Sequence, residues 1–149
     1  MYGPTLQENE KQLDDLAYIK IMAAGYSDDA DSESEGVAID VVYYDSKSEP
    51  IDFTNVPMNV VIELYGYHDI SDTFDQDKME LVHKESITID HSMRLGEMFG
   101  KYIRIPFDDI SVDSKEYYEY GTIKVTVEML GKGKFSDETD LVPLYKVTV

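Results

Sequence analysis

An all-β fold is what this sequence predicts: a two-sheet antiparallel β-sandwich of about seven or eight strands. Three observations point to it. Apolar residues recur with a period of two in most segments that hold them, the pattern of a strand with one buried face. These segments are short and separated by clusters of Gly, Pro, Asn, Asp and Ser, the residues that turn a chain. No stretch between them sustains the 3.6-residue period of a crossover helix, so parallel pairing lacks its usual connection. Two half-apolar sheets bury each other, and the order of short strands fits Greek-key connections, with a closed barrel as the alternative. A chain of 149 residues without Cys suits one domain that relies on its core alone.

Residues 1–15 read as an N-terminal linker or a short helix, because Leu6, Leu13 and Leu16 lie at near-helical spacing in an otherwise polar run. The sandwich domain is expected over residues 16–149. From Leu16 to Met22 both faces are largely apolar, as in a strand within a covered sheet. Gly25 and Tyr26 close it before the acidic loop Ser27 to Gly36, which lacks any large apolar residue and belongs outside the core. Val37 to Tyr44 is rich in β-branched and aromatic residues and ends in the turn chemistry of Asp45 to Pro50.

Met58 to Tyr67 alternates, with Val60, Ile62 and Leu64 on one face and Asn59, Val61, Glu63 and Tyr65 on the other. After an acidic stretch from His68 to Asp77, Met79 to His83 and Ser86 to Asp90 read as two shorter strands. Residues 92–100 read as a helical turn or a long loop, punctuated by Gly96 and Gly100. Ile103, Ile105 and Phe107 share a strand face, and Pro106, which lacks a ladder donor, puts that strand at an edge or ends it. Thr122 to Met129 alternates without interruption. Gly131 to Lys134 then begins a connection to a last strand, Leu141 to Val149, as a hairpin with a long turn.

The formal net charge is −18, from 31 Asp plus Glu against 13 Lys plus Arg. Such a surface repels phosphate backbones, so no nucleic acid is expected as partner. It also disfavours anionic lipid, and no apolar run approaches the ~20 residues of a membrane helix, so no membrane insertion is expected. The excess is uneven: residues 1–75 hold 17 acids and 3 bases, residues 76–149 hold 14 and 10. With 11 Lys to 2 Arg, the composition is not that of an extreme halophile. Met1 to Gln12 has neither a basic n-region nor an apolar h-region, so no signal peptide is read here. Gly3-Pro4 and the polar run after it read like a spacer. The expectation is an extracellular or cell-surface, lipoprotein-like module if a signal or anchor segment has been removed, and a cytoplasmic protein otherwise.

Two stretches carry a resemblance. Gly36 to Ile51, continued by Val56 to Gly66, is similar to the opening strands of immunoglobulin-like and fibronectin type III-like modules of microbial surface proteins. Tyr120 to Val127 resembles their penultimate strand. The antibody subfamily's core Trp and inter-sheet disulfide have no counterpart, since the chain has neither Trp nor Cys. The resemblance implies a non-enzymatic adhesion, spacer or assembly module with a protein partner.

No catalytic motif is present: no GxSxG, Walker loop, GxGxxG or HExxH, and no Cys nucleophile. His68, His83 and His91 read as solvated or strand-face residues. No catalytic residue and no cofactor are therefore expected. Calcium is the alternative, because it takes several oxygen ligands from flexible loops. The loop Asp28 to Glu35 offers alternating acids, but its glycine comes too late for an EF-hand turn. Asp69 to Glu80 places Phe74 where an EF-hand needs glycine. If either binds, Asp72, Asp75 and Asp77 are the metal candidates; a solvated acidic loop is the plainer reading. Tyr43, Tyr44, Tyr65, Tyr67, Tyr117, Tyr118 and Tyr120 cluster near strand ends, where rings stack on sugars or fill a partner's pocket, or simply pack in the core.

Overall fold

The computed structural model describes residues 13–27, 35–51, 57–89, 103–110 and 112–146. Its strands are β1 (Leu16–Tyr26), β2 (Gly36–Asp45), β3 (Pro50–Ile51), β4 (Met58–Gly66), β5 (Glu80–Ile89), β6 (Ile103–Pro106), β7 (Tyr120–Met129) and β8 (Gly133–Pro143). They form the all-β, two-sheet antiparallel arrangement expected. The first sheet places β2 between β1 on one side and β3 and β6 on the other; the second has the order β5-β4-β7-β8. Every pairing is antiparallel. Residues 13–15 are a helical turn leading into β1, with Leu13 packed on the core.

The two-residue period decides which side chains meet. Register pairs Ile21 with Val41 in the first sheet, and Ile62 with Val125 and Leu64 with Ile123 in the second. All six are buried, with Val37, Ile39, Val60, Val127 and Ile105 filling the space between the sheets. The outer face of the second sheet is polar, carrying Asn59, Glu63, Lys84, Ser86, Lys124 and Thr126. That of the first sheet is more apolar. Tyr18 stacks on its cross-strand partner Tyr44 at 5.1 Å, and Arg104 lies 4.8 Å from the ring centre of Tyr26.

Two sequence expectations need correction. The candidates Met79 to His83 and Ser86 to Asp90 are one strand, β5, which runs through the charged Lys84-Glu85 pair because its inner face continues His83, Glu85, Ile87 in register with Leu64, Ile62 and Val60. The last strand starts at Gly133, not Leu141, and the hairpin turn is tight. Gly131 and Gly133, at φ 84° and 120°, adopt backbone that L side chains rarely enter, and this lets β7 reverse directly into β8. Alternation along β8 was hidden because Phe135, Asp137 and Thr139 occupy its inner face at the open side of the sandwich. There the Ile21 amide of β1 donates to Asp137 Oδ2 at 2.9 Å, tying the edge of one sheet to the edge of the other. As expected from its proline, β6 is an edge strand that ends at Pro106. The acidic residues 28–34 and the segment 92–100 lie outside the described residues.

Candidate functional site

Antiparallel registers bring three connections to one end of the sandwich: the β4–β5 link, the approach to β7 over residues 112–119, and the exit of β8 through Leu144 and Tyr145. The backbone joins them, since Tyr118 N–H donates to the Tyr67 carbonyl at 2.7 Å and Leu144 N–H to Glu119 at 2.9 Å. The Tyr145 hydroxyl closes the group by donating to the Tyr117 carbonyl at 2.7 Å. Tyr67 points inward and is fully buried. Its hydroxyl lies 3.0 Å from Thr122 Oγ1, which donates to Asp140 Oδ1 at 2.7 Å. A carboxylate only accepts, so the threonine proton is committed to it and Tyr67 is the donor to Thr122.

Beside this relay lies a surface cluster. His68 Nδ1 is 2.9 Å from the Glu116 carbonyl oxygen, and its Nε2 is 3.0 Å from Glu80 Oε2. The same Glu80 oxygen accepts from the Tyr117 hydroxyl at 2.8 Å, and the Tyr117 ring stacks on the imidazole with centroids 4.4 Å apart. The Glu116 carbonyl and then the Glu80 carboxylate raise the His68 pKa, while donation from Tyr117 and His68 lowers that of Glu80. Hydrogen bonding to the carboxylate raises Tyr117 in turn. Next to the cluster is an open groove of about 550 Å³ whose lining includes Lys115, Tyr118, Glu119, Tyr145 and Lys146.

Of the tyrosines singled out from sequence, Tyr67, Tyr117, Tyr118 and Tyr120 meet at this end, where Tyr118 and Tyr120 pack edge to face at 5.8 Å. Tyr65 lies on the outer face, donating to Glu63 at 2.9 Å. Tyr43 is buried at the opposite end, its hydroxyl 3.5 Å from the Met58 sulfur, and Tyr44 belongs to the Tyr18 stack. Asp72, Asp75 and Asp77 lie in the β4–β5 link, but among the described residues no three His, Asp or Glu side chains gather as a metal ion requires. Their backbone forms successive turns. Asp75 N–H donates to the Asp72 carbonyl at 3.0 Å, and the Asp75 carboxylate accepts from Asp77 N–H at 3.1 Å. Of the three carboxylates, Asp75 caps a turn.

Sequence reasoning missed the pairing of both described histidines with glutamates. His83 and Glu85 meet at 2.8 Å on the inner face of edge strand β5. The signal was available: His83 and Glu85 stand two apart within a strand and so share a face. Asp40, on the outer face of the first sheet, was also missed. It is buried, its Oδ2 has no hydrogen-bond partner among the described residues, and burial raises its pKa against the opposing pull of Val41 N–H.

The fold and this end define an antiparallel β-sandwich that gathers tyrosines at one end. No family model, curated protein or solved structure matches the chain. No described helix is long and apolar enough to cross a membrane.

Proposed function

We propose that the chain is a non-enzymatic, immunoglobulin-like or fibronectin type III-like β-sandwich module that works outside the cell or at its surface, through contact with a protein. The observation that carries this reading is the end just described. Tyr117, Tyr118 and Tyr145, all half-buried, line an open groove there, and Tyr120 packs against Tyr118 beside it. Tyrosine combines a large apolar ring with a polar tip and loses few rotamers on ordering, so it recurs at binding hot spots. Loops at the ends of sandwiches are the usual place for such surfaces.

Strand order supports the family reading. With β1, β2 and β6 as strands A, B and E, the second sheet β8-β7-β4-β5 corresponds to G-F-C-C′ of the immunoglobulin scheme. A net charge of −18 favours a protein partner over nucleic acid.

Site-specific photo-crosslinking tests this in cells of the source organism. A photoreactive residue at Tyr118 should yield a discrete protein adduct, whereas one at Lys124, on the outer face of the second sheet, should not. Adducts of equal strength from both sites, or none from Tyr118, would overturn the reading. A rise in melting temperature with millimolar calcium would instead favour a calcium-binding module, because a ligand that binds only the folded state stabilises it by mass action.

A further inference from the structure

We propose that His68 is a proton-operated clasp: its imidazolium ties the residues following β4, the start of β5 and the loop before β7 into a closed end, and loss of the ring proton releases them. Its bearing on partner binding rests on the reading above, whereas the clasp itself stands on geometry. Both ring nitrogens face acceptors, the Glu116 carbonyl at 2.9 Å and Glu80 Oε2 at 3.0 Å. A neutral imidazole has a single N–H, so whichever nitrogen keeps it, the other turns a lone pair toward an oxygen. Only the imidazolium donates to both. Protonation also places a cation against the Tyr117 ring, and the same Tyr117 holds Glu80 through its hydroxyl.

The surroundings act in both directions. Glu80 on β5 and Glu116 in the loop before β7 favour the protonated ring, and desolvation opposes it; the other charged groups lining the adjoining groove are Asp69, Lys115, Glu119 and Lys146. The His68 and Glu80 side chains are 47% and 55% exposed, so proton exchange needs no unfolding. The backbone bond from Tyr118 N–H to Tyr67 persists in either state, and release therefore frees side chains and loop without opening the sheets. Because the folded state raises the His68 pKa, the clasp is fully formed below the ordinary imidazole value of about 6.5 and is lost as pH climbs through the raised one.

The test uses the whole chain alone. NMR titration of the His68 ring protons should give a midpoint above about 6.5, lowered by about half a pH unit or more in Glu80→Gln, which keeps an acceptor but removes the charge. Amide exchange at Glu116 and Tyr117, whose N–H groups bond to the Asp113 carbonyl within the loop, corrected for intrinsic rates, should speed up several-fold as pH passes that midpoint, and His68→Gln should abolish this step. A midpoint at or below the ordinary value, no response to Glu80→Gln, or exchange indifferent to pH would each overturn the clasp. Crosslinking from Tyr118 decides the partner reading separately, so the failure of one is distinguishable from the failure of the other.

Discussion

Truncating Asp137 to alanine removes the acceptor that meets the Ile21 amide at 2.9 Å where the edges of the two sheets face each other. A hydrogen bond to a charged group contributes about 1.5–3 kcal/mol net. The lower end applies here, because Asp137 is half-buried and water can reach the vacated amide. Asp137→Ala should therefore lose about 1.5 kcal/mol, and Asp137→Asn, which keeps a neutral acceptor, about 0.5 kcal/mol. For a domain of this size the alanine variant should melt roughly 3–6 °C below the parent. In urea its midpoint should fall by about 0.5–1 M with an unchanged slope. A second consequence follows from edge-strand physics. An inward-pointing charge at a sheet edge discourages pairing with another chain, so the alanine variant should also associate more readily at high concentration, as light scattering would show. Equal stability of parent, asparagine and alanine variants would refute the argument, since the bond would then be worth no more than its replacement by water.

Three further substitutions have defined outcomes. Tyr67→Phe removes a buried hydroxyl that donates to Thr122 Oγ1 at 3.0 Å, and chemical denaturation should show a loss of about 1–2 kcal/mol. Leu141 sits at φ 61° where β8 bulges between its pairings with Gly121 and Ile123, and it is 56% exposed. Leu141→Gly should accordingly raise stability by about 0.5–1 kcal/mol in thermal melts, relief of the left-handed backbone outweighing the small burial lost. Gly121→Ala would drive a methyl group into the Tyr65 carbonyl oxygen and against Leu144, in backbone that cannot move aside. It should lower the melting temperature by more than 5 °C, at a cost of about 2 kcal/mol or more, and a melt like the parent's would contradict the close packing of β4 on β7.

Legibility followed the strength of alternation. Val60, Ile62 and Leu64 were assigned to one face from sequence, and they are the buried face of β4. The first half of β8 shows no apolar alternation, because its inner face runs Phe135, Asp137, Thr139 along an open side, where burial does not demand a continuous apolar row. The turn glycines before it were mistaken for a long connection because composition does not distinguish a tight reversal at positive φ from a flexible link. At the candidate site the tyrosines were visible as residues. The meeting of His68, Glu80 and Tyr117 was not, because they come from three segments that only the β4–β5 and β4–β7 registers bring to one end. The acids Asp72, Asp75 and Asp77 are legible by residue type only; among the described residues no three such side chains gather, and the Asp75 carboxylate caps the Asp77 N–H.

Sequence by itself determined the all-β class and the inner face of the strongest strands, because a period of two makes one apolar face per strand, and that face must be buried. Net charge likewise followed from composition alone. Tertiary structure decided which strands are neighbours, how Asp137 ties the two sheet edges together and how His68 meets Glu80 and Tyr117. Those are contacts between residues far apart in the chain, and the local pattern that makes a strand contains no information about its partner.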